Sequence, residues 1–227
     1  MRVSALELLE LLPTELLDDL AKQTKVDYKV HKLKGKIMFN LLLYGMLEED
    51  RMSLRSLEDS FHNPKFKFFF DIPNEMTTRY NSLSDRLASM EVSYFSAIYE
   101  STYQLFSEHY DQKTALRYHI KRTDSTMVCE EARKLASGMS VGRKKDGKKQ
   151  IKISLSLCDM FPSSFELFTS QSALSEDVAL PIEIFKDVSK DKDNVIATFD
   201  RGVSARKVFV QLDEEKQKFV TRIKEKS

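Results

Sequence analysis

The chain has 227 residues, 41% of them hydrophobic, with 36 Lys and Arg against 35 Asp and Glu and a formal net charge of +1. That is long and apolar enough for one large domain or two small ones. The charge balance excludes a uniformly basic nucleic-acid coat, so any such surface must come from local clustering. Two cysteines, Cys129 and Cys158, and the histidines His31, His62, His109 and His119 are too scattered for a zinc site, and this usage suits a reducing, cytoplasmic setting. Glu7 and Glu10 interrupt the N-terminal leucines, unlike a signal peptide, and the longest apolar run, Ile37 to Met46, is too short and interrupted to span a bilayer.

From Val3 to about Tyr110 the apolar spacing is helical. Leu8, Leu9, Leu11 and Leu12 stop at Pro13, and Thr14 is expected to cap a second helix bearing Leu16, Leu17 and Leu20. Gly35 precedes KIMFNLLLYGML, in which Ile37, Met38, Leu41, Leu42 and Leu47 form the wide face of a central helix. Ser53 opens a short helix with Leu54, Leu57 and Phe61, and Asn63 before Pro64 reads as the start of another. After Pro73, a helix marked by Leu83 and Leu87 shows Thr78, Arg79, Asn81, Ser82, Ser84 and Arg86 on its other faces. Such groups reach base edges and phosphates in helix-turn-helix proteins, which makes Ser84 and Arg86 candidate DNA contacts; an ordinary solvated helix shows the same pattern. The last helix, about Val92 to His109, carries a broad apolar stripe suited to core packing.

Near Thr114 the period changes to two. In LRYHIKRTDST, Leu116, Tyr118 and Ile120 alternate with Arg117, His119 and Lys121, and the apolar phase continues through Arg122 to Asp124, so a carboxylate is expected to end a core-facing row. A buried charge there needs a cation, a proton or hydrogen bonds, although Asp124 also suits a turn cap for Ser125 and Thr126. Glu130 to Ala136 can form a helical turn. The loop from Gly138 to Gln150 holds Arg143, Lys144, Lys145, Lys148 and Lys149 with only Asp146 opposing them; it is either a solvated hairpin tip or a phosphate contact. Ile151, Ile153, Leu155 and Leu157 mark the next strand, Ser164 to Thr169 a third, and Ser175 to Lys190 a helix. NVIATFDRG then gives a strand covered on both faces that ends at Asp200. Arg201 beside it can pair with a local carboxylate or hold a nucleic-acid backbone. A helix from Ser204 to about Lys216 and a strand, KFVTRIK, complete the order βββαβαβ. This matches a ribonuclease-H-like mixed α/β sheet, in which strands one and four lie side by side. Two strands that each deliver an Asp to the carboxyl edge bring together carboxylates of the kind that hold Mg²⁺ against phosphates.

TDST around Asp124, the KKQIKISLSL strand, SALSEDVAL, FDRG around Asp200 and KFVTRIK together resemble the DDE transposases of bacterial insertion sequences, specifically the IS4-like group. KLKGKIMFNLLLYGM and SLSDRL are similar to that family's N-terminal DNA-binding region. The resemblance implies a helical DNA-binding domain over 1–112 and a catalytic domain over 113–227. It implies a transposase that cuts and joins DNA at the ends of its own mobile element, with Asp124 and Asp200 holding two Mg²⁺ ions, for which Mn²⁺ can substitute. The implied state is a homodimer on DNA in the bacterial cytoplasm, at the nucleoid. The family's third carboxylate, a Glu on a later helix, has no match in Glu214, Glu215 or Glu225, so the expectation is a chain truncated before it and inactive alone. Two alternatives remain open: a DNA-binding protein without chemistry that competes for element ends, and another ribonuclease-H-like nuclease, such as a resolvase that prefers branched DNA.

Overall fold

The computed structural model describes residues 12–110, 119–130, 135, 137–140, 148–158, 161–186 and 194–222. The chain divides into two compact units, Met1–Leu105 and Phe106–Ser227.

The first unit is helical. Helices α1 (Thr14–Thr24), α2 (Gly35–Glu48), α3 (Leu54–His62), α4 (Pro64–Phe69), α5 (Tyr80–Ser89) and α6 (Val92–Tyr110) follow the sequence pattern closely. Pro13, not Thr14, occupies the cap position of α1, and no side chain caps that end. Ser53 does cap α3: its Oγ accepts from the Ser56 amide while the Ser56 side chain returns to the Ser53 amide, a reciprocal capping box. Asn63 Oδ1 accepts from the Lys65 amide and Pro64 stands at the first turn of α4. Leu17, Met38, Leu41, Leu57, Phe61, Phe66, Leu83 and Tyr94 are buried together, with α2 contributing Met38 and Leu41 as a central helix should.

The second unit is a five-stranded mixed sheet: β1 (His119–Cys129), β2 (Gln150–Cys158), β3 (Phe161–Phe168), β4 (Val195–Phe199) and β5 (Lys218–Thr221), in the spatial order 3-2-1-4-5. β1, β2 and β3 form an antiparallel meander, whereas β4 pairs parallel with β1 and β5 parallel with β4. A short 3₁₀ turn (Gln171–Leu174) and α7 (Glu176–Ile184) connect β3 towards β4, and α8 (Arg206–Glu214) connects β4 to β5. Leu180 and Ile184 of α7 pack with Ala197 and Phe199 of β4 and with Val208 and Leu212 of α8. The helical turn expected over Glu130 to Ala136 falls mostly outside the described residues. Met139, expected in an exposed loop, is buried and bridges to Gln150.

The faces of the sheet are opposite to the sequence expectation. Lys121, Thr123, Lys152, Ser154 and Ser156 are buried, while Asp124 is exposed and its register neighbour Leu155 is 36% exposed. Asp124 therefore does not end a core-facing row. The buried face is polar because α7 supplies partners for it. Lys121 Nζ donates to the carbonyls of Glu183, Ile184 and Lys186 at 2.6, 3.1 and 2.7 Å, closing the C-terminal end of α7 with a cation. Thr123 and Ser156 share a hydroxyl hydrogen bond of 3.0 Å. Hydropathy alone reads such a row as solvent-facing, since it sees no partners.

Candidate functional site

β1 and β4 run parallel in a register that sets Thr123 opposite Phe199. Asp124 is the next residue on β1, and Asp200 is the first residue beyond β4. Neighbouring strands lie roughly 4.8 Å apart, so the two carboxylates leave adjacent strands at one level. Both residues are exposed. Asp124 Oδ1 accepts from the Ser125 amide at 2.8 Å, and the Asp200 carbonyl accepts from the Val203 amide at 3.3 Å, turning the chain after β4.

Beneath this pair, two consecutive acids at the start of α7 tie the surrounding elements together. Glu176 Oε2 accepts from Ser125 Oγ at 2.8 Å, and Glu176 Oε1 accepts from Lys152 Nζ at 3.0 Å. Asp177 Oδ1 accepts from the amides of Ser204 and Ala205 at 2.6 and 2.7 Å, and its Oδ2 lies 3.2 Å from Ser204 Oγ. Gly202 fits against Glu176 so closely that an added Cβ would lie 2.7 Å from Glu176 Cγ. The residue after Asp124 and the loop after Asp200 are thus held by the same first turn of α7, where negative charge is also favoured by the helix dipole. In the sequence Glu176 and Asp177 stand within SALSEDVAL, one of the segments that carry the resemblance, but neither acid signals a role there beyond an acidic helix start.

At the other end of α7, buried Glu183 accepts from Ser164 Oγ at 2.6 Å and from Lys186 Nζ at 2.9 Å. Burial pulls the Lys186 ammonium down, but its hydrogen bonds to Glu166 and Glu183 outweigh that effect, and its pKa stands above the ordinary lysine value.

The remaining candidates are dispersed. Arg201 is exposed and, with Arg222, lines an open groove of about 650 Å³ walled by Phe209, Phe219 and Val220. Lys148 is exposed and Lys149 half-buried, the Lys149 amide donating to Glu130 Oε1 at 2.6 Å; Arg143, Lys144 and Lys145 lie outside the described residues. Glu214 and Glu215 are exposed at the end of α8, and Glu225 lies outside the described residues. Among the described residues no three acid, histidine or cysteine side chains gather into a metal-binding group. In the helical unit Ser84 is half-buried. Arg86 corrects the sequence expectation: it is only 8% exposed and turned inward, with Nε donating to the Leu33 carbonyl at 2.7 Å and Nη2 to the Val26 carbonyl at 3.0 Å and Asp27 Oδ1 at 3.1 Å. Its guanidinium organises the 26–34 loop and is not offered to DNA. No described helix is long and apolar enough to cross a membrane.

No family model and no curated protein matches the chain. Solved structures similar to it include a Mos1 transposase paired-end complex with left transposon end, at TM-score 0.32 and 11% identity over 96% of this chain and 78% of that one. A pre-cleavage Mos1 transpososome aligns at TM-score 0.29 and 12% identity over 93% and 79% of the two chains. Likeness at this level assigns neither fold nor function.

Proposed function

We propose that the chain is a DNA transposase of the IS4-like insertion-sequence type, built on a ribonuclease-H-like sheet, that cuts and joins DNA at element ends. The observation that carries the reading is the parallel register of β1 and β4, which brings Asp124 and Asp200 to one level from distant parts of the sequence. The 3-2-1-4-5 strand order and the DST and FDRG motifs support it. Proteins hold Mg²⁺ with one or two carboxylates and leave its other positions to water and substrate phosphates. Two exposed carboxylates on neighbouring strands suit that donor set, and Asp124 engages the Ser125 amide through Oδ1 alone. Asp124 and Asp200 would hold the ions, which supply positive charge at the attacking and leaving oxygens of phosphoryl transfer. In this reading Arg201 contacts the DNA backbone beside Asp200, the 143–149 loop adds phosphate contacts, and the enzyme works as a homodimer on DNA. Glu176 and Asp177 position Ser125 beside Asp124 and the loop after Asp200 without touching substrate.

Nicking of supercoiled plasmid in Mg²⁺ or Mn²⁺ tests this reading. Metal-dependent nicking that disappears in both Asp124→Ala and Asp200→Ala supports it; nicking that survives both substitutions overturns it. A second reading is a DNA-binding protein without chemistry that competes for element ends. DNA binding with no nicking in either metal, together with no Mn²⁺ binding that depends on Asp124 and Asp200, would select that second reading.

A further inference from the structure

The loop between α1 and α2 carries a concentration of charge that neither the acid pair nor the candidate residues above account for. Residues 25–34, KVDYKVHKLK, hold four lysines and one acid, in a chain whose whole net charge is +1. The single acid, Asp27, is turned inward: its Oδ1 accepts from the Gly35 amide at 2.6 Å and from Arg86 Nη2 at 3.1 Å. Lys25, Lys29, Lys32 and Lys34 are exposed, and no described carboxylate is paired with any of them. Tyr28, between them, is 72% exposed, and Lys29 Nζ lies 5.3 Å from its ring centroid.

The loop is also fixed in shape. Val26 and Leu33, each 6% exposed, anchor its two ends in the helical core, and Arg86 spans the carbonyls of both. Turn hydrogen bonds run from the Tyr28 amide to the Lys25 carbonyl and from the Val30 amide to the Asp27 carbonyl, both 3.0 Å. Lys25 ends α1 in the left-handed conformation common at helix C-termini, its amide donating to the Lys22 carbonyl, and Lys29 sits in the same region at φ 59°, where side-chain-bearing residues are uncommon and persist only when the surroundings hold them. A solvated run of lysines needs no such framework. A surface that must present several cations at set positions does, since preorganisation lowers the ordering needed on binding.

We infer that the 25–34 loop is a preformed phosphate-binding surface that docks the helical unit on the backbone of duplex DNA through Lys25, Lys29 and Lys32. Tyr28 adds a flat apolar contact against the sugar-phosphate edge. The charge and rigidity stand by themselves; the choice of DNA as the polyanion rests on the function proposed above.

The test is fluorescence anisotropy of the full chain with a short labelled duplex, in chelator so that no metal chemistry intervenes, across a salt series. The Lys25→Gln/Lys29→Gln/Lys32→Gln variant should bind more weakly at low salt, with a plot of log K against log salt shallower by about 0.9 for each phosphate no longer neutralised, so by roughly 2 to 3 in all. Tyr28→Ala should weaken binding while leaving that slope unchanged. Far-ultraviolet circular dichroism and thermal melting check that the exposed substitutions leave the fold intact. Wild-type affinity and slope in the triple variant overturn the loop assignment alone and leave the proposed function standing. Equal loss of binding to anionic phospholipid vesicles with unchanged binding to duplex overturns it in favour of a membrane surface. A wild-type chain that binds no duplex at any salt overturns the loop assignment and the proposed function together.

Discussion

Lys152 Nζ lies 3.0 Å from Glu176 Oε1 while its side chain is only 2% exposed. The same ammonium donates to the Leu174 carbonyl at 2.8 Å, so a buried cation of β2 depends on the 3₁₀ turn and the first turn of α7 for its partners. Removing the carboxylate leaves that charge buried without its counter-ion. Glu176→Ala should therefore destabilise the chain by about 3 kcal/mol, the lower end for a buried pair broken from one side because Glu176 is itself partly exposed. Urea denaturation of the variant and of the Lys152→Met/Glu176→Ala double variant measures it; the double variant should recover most of the loss.

Gly202 is held against Glu176 on the loop that follows Asp200. A methyl group added there would meet Glu176 Cγ at 2.7 Å, and that side chain is tethered at its far end by Lys152 and Ser125. Gly202→Ala should cost about 1 to 3 kcal/mol by overpacking. Titration with Mn²⁺ should show weaker binding than in the parent, because the loop carrying Asp200 must move. Unchanged stability and Mn²⁺ affinity would show that the contact relaxes freely.

Arg86 supplies three hydrogen bonds to the 26–34 loop from a buried position. Lysine keeps the charge but not the fork of donors, so Arg86→Lys should lose about 3 kcal/mol. Hydrogen exchange should rise at Tyr28 and Val30, whose amides hold the loop's turns.

Tyr94 is fully buried, with its hydroxyl 3.4 Å from the Leu17 carbonyl. Burial, followed by the charges of Asp27 and Asp18, pushes its ionisation well above the ordinary value of 10.0. The folded state therefore holds this proton more tightly than the unfolded state. The stability it contributes is fully present below pH 10.0 and is lost as pH rises towards the higher folded pKa. Denaturation of Tyr94→Phe and parent across that range should show a shallower alkaline loss in the variant.

Much of the architecture was legible from local pattern. The Ser53 cap, the Asn63-Pro64 start, the apolar run of β4 and the alternation of β2 all mark elements through interactions within a few residues. The phase of β1 was not legible, because its buried face is polar. Lys121 is satisfied by the carbonyls of Glu183, Ile184 and Lys186 and Lys152 by Glu176, partners that no period reveals. Arg86 escaped the sequence for the same reason, its carbonyl partners lying 53 and 60 residues upstream. Asp200 stands out by its place just past the end of β4, but the sequence expectation that Asp124 ends its row did not hold, since β1 continues to Cys129; Glu176 and Asp177 read as a routine helix start until the fold sets them beside Ser125 and Ser204.

The proposed chemistry depends on Asp124 and Asp200 acting on the same ions, and calorimetric titration of the folded chain with Mn²⁺ in the presence of duplex DNA measures this most directly. A shared site predicts binding that is lost or weakened at least tenfold, about 1.4 kcal/mol, in Asp124→Asn and to a similar degree in Asp200→Asn, with the double variant little worse than either. Full Mn²⁺ affinity in either single variant, with the fold intact, would contradict it.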